Sequence, residues 1–155
     1  MSDYNQSRYY RHLDGWTLAR GSITFDGTAG KGAQGTVTLF DVTGAVEVGS
    51  LLGECATSHD GATATIAFGV TGNTTMFCDP FTATNIDAGM VLSGGGNGFV
   101  SGGVASSPTA AIINADIIAT VATADVTAGV LELFVWWRPL SADGNVALGS
   151  AMEQI

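Results

Sequence analysis

Short runs of alternating apolar and polar residues recur about every ten residues along this chain, and glycine-containing turns separate them. The clearest run extends from Ala62 to Val70, where apolar residues occupy every second position and threonines stand at Thr63 and Thr65. A period of two puts successive side chains on opposite faces, so each run predicts a half-buried β-strand. About eight such runs, and no segment that predicts a helix, indicate an all-β fold.

Short strands with regular turn signals predict an antiparallel β-sandwich, and about eight strands in two sheets favour a jelly-roll-like arrangement. An immunoglobulin-like sandwich is the alternative, although the Cys…Trp…Cys pattern of that fold is missing. The length of 155 residues fits one domain, which we expect to span residues 21–155. Residues 1–20 lack a sustained period and predict an extended N-terminal arm.

The predicted arm has a composition of its own. It contains three of the five basic residues and all three tyrosines, and both residue types are enriched at protein interfaces. The arm is therefore predicted to dock onto a neighbouring subunit or another partner, and folding back onto its own domain is the alternative. The candidate contact residues in it are Tyr4, Arg8, Tyr9, Tyr10, Arg11, Trp16 and Arg20.

The charge of the chain argues against some partners. Five lysines and arginines stand against 14 acidic residues, which gives a net charge of −9. Nucleic acid is not expected as a partner, because neutralising phosphates needs lysine and arginine. No apolar stretch has the length of a membrane span and residues 1–10 do not resemble a secretory signal, so a soluble protein made in a cytoplasm is expected.

The last strong strand, Val130–Trp137, is apolar on both faces. Such a strand either lies centrally in a sandwich or presents one face to another subunit. Trp136 and Trp137 are adjacent, so they are expected on opposite faces. One of them is expected in the core, while the other has an interface role, a core role or sugar stacking as its alternatives. Trp136 and the nearby Arg138 are the remaining candidate interface residues.

The sequence contains no recognisable catalytic or metal-binding pattern. Ser58-His59-Asp60 has the residue types of a hydrolase triad, but contiguous side chains on a turn cannot form that relay. The two histidines, His12 and His59, lie in different segments, so no metal ligand set and no cofactor is predicted. Cys55 and Cys78 are expected as free buried thiols, and a bridge between them is the alternative. The chain is therefore predicted not to be an enzyme.

Several segments resemble small head-associated virion proteins of tailed bacteriophages. The similar segments are Gly35–Gly44, Ala115–Val130, Leu131–Val135 and Trp137–Ser141, within a resemblance that covers residues 35–145. The resemblance implies a capsid decoration or cement protein, which binds the outer surface of the shell and stabilises it. It also implies the major capsid protein as partner, self-association as a trimer, and a location on the virion surface.

The cement interpretation is consistent with an acidic β domain that carries a basic, tyrosine-rich arm. The main alternative is a receptor- or glycan-binding module, such as a head-fibre or tail-spike domain, with its contacts in loops such as Ser93–Gly103. A cytoplasmic β-sandwich enzyme is a third interpretation, but it lacks a set of catalytic residues.

Overall fold

A computed structural model describes residues 15–93, 98–101 and 110–155 of the chain. Eleven strands run through these described residues: β1 (Thr17–Thr24), β2 (Gly35–Thr43), β3 (Val46–Asp60), β4 (Thr65–Val70), β5 (Asn73–Thr82), β6 (Val91–Ser93), β7 (Gly98–Val100), β8 (Ala111–Ile113), β9 (Ile117–Ala122), β10 (Ala128–Pro139) and β11 (Asn145–Leu148). One turn of 3-10 helix, Ala83–Asn85, lies between β5 and β6. No helix within the described ranges is long and apolar enough to cross a membrane.

The strands form two sheets. The six-stranded sheet has the order β1-β10-β3-β6-β7, with β8 also pairing with β3, and the five-stranded sheet has the order β11-β2-β9-β4-β5. All of these pairings are antiparallel. The predicted all-β, antiparallel sandwich is confirmed, with eleven strands in the described residues where about eight were expected.

The core lies between the inner faces of the two sheets. On β10 the inward side chains are Leu131, Leu133, Val135 and Trp137, and they belong to one buried cluster with apolar side chains of both sheets. Burying one such aliphatic side chain contributes roughly 1.5–3 kcal/mol to folding. The two-residue period read from the sequence therefore identifies the inward residues of β10 correctly.

The first strand begins earlier than the sequence predicts. Residues Thr17–Arg20 were assigned to the arm, but the structure places them in β1, which pairs with β10 from Thr17↔Trp137 to Thr24↔Val130. Thr17–Arg20 has little apolar alternation of its own. Pairing with the neighbouring strand, which is not visible in local sequence, makes this segment a strand.

One predicted strand proves to be two strands in different sheets. The apolar residues in Ala111–Val121 predict a single strand, whereas β8 pairs with β3 in one sheet and β9 pairs with β2 and β4 in the other. Between them the chain crosses the sandwich at Asp116, whose Oδ1 accepts a hydrogen bond of 2.8 Å from the Val42 N–H. The crossing carries no glycine or proline, and Asn114 and Asp116 are its only turn-favouring residues, so the turn signal is weak.

Two further segments differ from what local sequence predicts. The proline in Asp79-Pro80 predicts the end of a strand, but β5 continues through it. β5 is an edge strand and its register shifts opposite this pair, so the missing N–H of Pro80 costs no ladder hydrogen bond. The C-terminal tail from Ser141 also contains β11, which pairs with β2.

Candidate binding face

The outward side of the six-stranded sheet carries a group of apolar and aromatic side chains. We call it the aromatic face, and its members are Trp16, Leu18, Leu52, Phe134 and Trp136. Trp136 is 42% exposed and Leu18 is 39% exposed, while the other three are half-buried. Large apolar side chains grouped on the solvent side of a sheet mark a contact surface more often than isolated ones do.

Strand register brings these side chains together. On β1 and β10, Leu18 is directly opposite Trp136, and Arg20 is directly opposite Phe134. On the other side of β10, Phe134 is opposite Leu52 of β3. Directly opposed residues on one face are close enough for their side chains to pack, so three strands contribute to one continuous surface.

Trp16 and Arg138 form a fixed cluster at one end of the aromatic face. The Arg138 guanidinium lies 5.0 Å from the centroid of the Trp16 ring, within the range of a cation–π interaction. Arg138 Nε also donates a hydrogen bond of 2.5 Å to Glu47 Oε2. The guanidinium is therefore held between a ring and a carboxylate.

A glycine makes room for this cluster. A β-bulge between Trp136 and Trp137 leaves Gly49 of β3 without a directly paired residue. The Trp16 ring covers Gly49 so closely that a Cβ there would lie 2.8 Å from Trp16 Cζ3. The absence of a side chain at this position allows the Trp16 ring to approach β3 closely.

The opposite end of the aromatic face is acidic. Glu132 of β10 and Glu54 of β3 are directly opposite each other in the register, and Arg20 is the diagonal neighbour of Glu132 on β1. Like charges in directly opposed positions destabilise a sheet slightly, so a basic group on a partner would relieve this repulsion. The face thus has an apolar centre, an Arg138–Glu47 pair at one end and two carboxylates at the other.

The Ser58-His59-Asp60 sequence does not form a catalytic relay. The Ser58 hydroxyl accepts a hydrogen bond of 3.0 Å from the Ala88 N–H on the outside of β3. The His59 ring points inward, where it packs against Phe25 with a centroid distance of 5.1 Å. Adjacent residues of a strand face opposite sides, and here that separates the serine from the histidine.

A buried cysteine and a histidine do lie side by side in the core. Cys55 Sγ is 3.4 Å from His59 Nδ1, and both side chains are buried. Burial raises the pKa of the Cys55 thiol and lowers the pKa of His59 to about 4. Both groups are therefore neutral near pH 7, and this pair lacks the thiolate of a reactive cysteine.

The second cysteine is also buried and protonated near pH 7. Burial raises the pKa of Cys78 to about 11, and both cysteines are free thiols, as the sequence analysis expected. Within residues 15–93, 98–101 and 110–155, no group of three or more histidine, cysteine, aspartate or glutamate side chains could hold a metal ion.

The structure brings four of the nine predicted site residues to one face. Trp16, Arg20, Trp136 and Arg138 all lie on the outward side of β1 and β10 or directly next to it. As expected for neighbours on a strand, Trp136 is exposed while Trp137 is in the core and only 7% exposed. The other five predicted site residues lie outside the described residues: Tyr4, Arg8, Tyr9, Tyr10 and Arg11.

Sequence reasoning missed two members of the aromatic face, Leu18 and Leu52. It also missed Ile112, which lies outside the face as defined and is 70% exposed on β8 directly opposite Glu47. The sequence signal that could have indicated these residues is the apolar pattern on both faces of β10, because it implies apolar neighbours on the outward side of that strand. Naming those neighbours requires knowing that β10 lies between β1 and β3.

Comparisons with known proteins found little that resembles the chain. No protein-family model and no curated protein matches it. Among solved structures, the chain is similar to one chain of the "Cyanophage Pam1 capsid asymmetric unit", with 19% sequence identity and a TM-score of 0.37. The match covers 79% of this chain and 84% of that one. Because a likeness this weak supports no argument, the function has to be inferred from the chain's own geometry.

Proposed function

We propose that this protein is a non-enzymatic structural protein of a virion, which binds the outer surface of the capsid and stabilises the shell. The observation that carries the proposal is the aromatic face, where exposed Trp136 and Leu18 are directly opposed on a broad sheet. A cluster of this kind offers a partner a rigid apolar surface. Tryptophan is the residue type that most often contributes strongly to binding when a partner covers it.

The environment of Trp136 suits a protein partner. Leu18, Phe134 and Leu52 surround the central part of the face, and charged groups lie towards its ends. Protein interfaces commonly have this anatomy, with an apolar centre and a polar rim. The two sheets hold the face in place, so little conformational entropy is lost on binding.

The resemblance of the sequence to phage head proteins favours the major capsid protein as the partner. In this proposal Trp16, Arg20, Trp136 and Arg138 contact the shell from the sheet. Tyrosines and arginines of the N-terminal segment add contacts beside them. A trimeric decoration protein would repeat this surface three times, and simultaneous contacts would raise the overall affinity.

The proposal can be tested by adding purified protein to capsids that lack it. The wild type is expected to bind in saturable fashion and to raise the temperature at which the shells open. Trp136→Ala is expected to bind on the order of 30-fold more weakly, the effect of losing about 2 kcal/mol at a binding hot spot. Met76→Ala is the matched control, because Met76 is 38% exposed on β5 of the other sheet.

Two outcomes would contradict the proposal. If Trp136→Ala and Met76→Ala bind shells as tightly as the wild type, the aromatic face is not the docking surface. If the protein ignores shells but binds a glycan in saturable fashion, and Trp136→Ala abolishes that binding, the receptor- or glycan-binding alternative is correct. Circular dichroism of each variant verifies that the sandwich remains folded.

A further inference from the structure

The outward surface of the six-stranded sheet continues beyond the aromatic face, across β3 to β8. Arg138 of β10 is directly opposite Glu47 of β3, and Glu47 is directly opposite Ile112 of β8. Directly opposed residues lie on the same side of a sheet, so these three side chains form one row. Burial gives the same orientation, because Val48 and Ile113, the next residues along β3 and β8, are in the core.

Ile112 makes this row apolar at its β8 end. At 70% exposure, it is the most exposed of the large apolar side chains in the described part of the chain. On the other side of the ion pair, the Trp16 ring lies against the Arg138 guanidinium. The Arg138–Glu47 pair therefore has an apolar side chain on each side, and it is not the outer limit of the exposed apolar surface.

The two charges in the middle of the row compensate each other. Arg138 Nε donates a hydrogen bond to Glu47 Oε2, and the guanidinium also lies over the Trp16 ring. Both charged side chains are partly exposed, so water still reaches the pair in the free protein. A charged group of a partner would gain little beside a pair that is already neutral, whereas apolar groups would gain from covering Ile112 and Trp16. The row therefore fits an uncharged, apolar patch.

The chemistry of the row favours a protein surface over a sugar. A sugar is held by placed polar groups and by flat aromatic rings, and the isoleucine at position 112 provides neither. An exposed isoleucine contributes to binding when apolar atoms cover it and water is released. The acidic end of the aromatic face, where Glu54 and Glu132 are directly opposed, suits a basic group instead. The surface as a whole therefore complements a protein patch that is basic at one end and apolar at the other.

We propose, on the basis of the function proposed above, that an uncharged, apolar patch of the shell covers Ile112 and the Arg138–Glu47 pair. The ion pair then lies inside the contact surface and not at its rim. Taking the pair out of water makes its two members depend on each other, because removing one leaves the other as an unpaired charge in an apolar contact. At a solvated rim, the loss of either charge would have little effect on affinity.

Single and double substitutions test whether the shell covers the ion pair. Glu47→Gln is expected to weaken shell binding on the order of 30-fold, because Arg138 loses its counter-charge. Adding Arg138→Met is expected to restore most of the affinity, because no unpaired charge remains and methionine keeps an apolar chain beside Trp16. The unfolding free energy of each free variant should change little, as expected for a partly exposed pair, and it verifies folding. A Glu47→Gln variant that binds as tightly as the wild type, or a double variant no tighter than the single one, would overturn the proposal.

Substitutions at Ile112 test how far the contact surface extends. Ile112→Ser is expected to bind shells on the order of tenfold more weakly, because apolar area is lost from the contact. Ile112→Val keeps most of that area and is expected to keep most of the affinity. Met76→Ser, on β5 of the other sheet, is the control and is expected to bind like the wild type. Unchanged affinity of Ile112→Ser would overturn the extension to β8.

Trp136→Ala separates this proposal from the proposed function. If Trp136→Ala weakens shell binding while Ile112→Ser and Glu47→Gln do not, the proposed function stands and the extended surface is wrong. If the wild type does not bind shells, both are wrong. Sedimentation of the free protein tests the other occupant, a second copy of the chain. Self-association that Ile112→Ser abolishes would show that a second copy covers the row, and it would overturn the proposal.

Discussion

Single residues in this protein have roles that depend on which side of a strand they face. His59 illustrates this, because the inward position that removes it from catalysis also makes it a sensitive titratable group in the core. Its ring contacts Cys55 and Phe25, and its Nε2 has no hydrogen-bond partner within the described residues. A cationic imidazole in this position would be poorly solvated, which is why burial lowers its pKa.

Stability is therefore expected to fall as the pH drops through the range in which only unfolded His59 takes up a proton. The pKa of His59 is about 4 in the folded protein, against 6.5 for an exposed histidine. Between these values the unfolded state binds more protons, so the loss approaches about 3 kcal/mol near pH 4 and is absent above pH 7. Urea unfolding at pH 7, 5 and 4 measures it.

His59→Phe is the control for this pH dependence, because it removes the titrating group and keeps a ring of similar size. The difference in unfolding free energy between wild type and His59→Phe should depend on pH as described. The carboxyl groups titrate in both proteins, so their effect cancels in this difference. Parallel curves of stability against pH for wild type and variant would contradict the prediction.

Gly49 is expected to control the position of Trp16. In Gly49→Ala the new Cβ would lie 2.8 Å from the tip of the Trp16 ring, so the ring must move and its contact with Arg138 is lost. The expected cost in unfolding free energy is about 1 kcal/mol, the size of an exposed cation–π interaction, with a clear change in tryptophan fluorescence. Ala56→Val on the exposed side of β3 is the control, and an unchanged fluorescence in Gly49→Ala would refute the prediction.

At the level of elements, β10 contributes both to the core and to the aromatic face. It lies between β1 and β3, and its inward side chains are buried while its outward side chains form the middle of the aromatic face. The chain thereby builds the face on a strand that is paired along both edges. A surface on such a strand is more rigid than one built on a loop.

Substitutions at neighbouring positions of β10 should therefore have different consequences. Leu133→Ala creates a cavity in the core and is expected to lower the unfolding free energy by about 2–5 kcal/mol. Phe134 is half-buried on the outward side. Phe134→Ala should therefore lower the unfolding free energy clearly less than Leu133→Ala, and it should weaken binding to shells. Chemical denaturation combined with a shell-binding assay measures both effects. A larger stability loss for Phe134→Ala than for Leu133→Ala would contradict this division.

At the level of the whole molecule, the sandwich is held together by packing and strand pairing. Cys55 lies in β3 of one sheet and Cys78 lies in β5 of the other, and both are buried free thiols. A reducing agent therefore has no bond between them to break. The sheets also present different outward surfaces, and the aromatic face belongs to the six-stranded one.

The melting temperature is accordingly expected to be the same with and without a reducing agent. A thiol reagent should modify neither cysteine in the native protein and both after unfolding, because both side chains are fully buried. Fast labelling of either cysteine under native conditions would show that the sandwich opens or packs differently.

The local pattern of apolar and polar residues predicts some features of this fold and does not predict others. The all-β class and the opposite orientations of Trp136 and Trp137 follow from the two-residue period of a strand, which is a property of adjacent residues. The start of β1 at Thr17 and the separation of β8 from β9 do not follow from it. Both depend on backbone pairing with strands that are distant in sequence.

The aromatic face shows the same division. Sequence alone determined that β10 is apolar on both sides, and it singled out Trp16, Arg20, Trp136 and Arg138 by residue type. Only the tertiary structure placed these four residues together and added Leu18 and Leu52, because the order β1-β10-β3 joins segments more than a hundred residues apart in the chain. That order results from packing two whole sheets around one core, and no local period of residues encodes it.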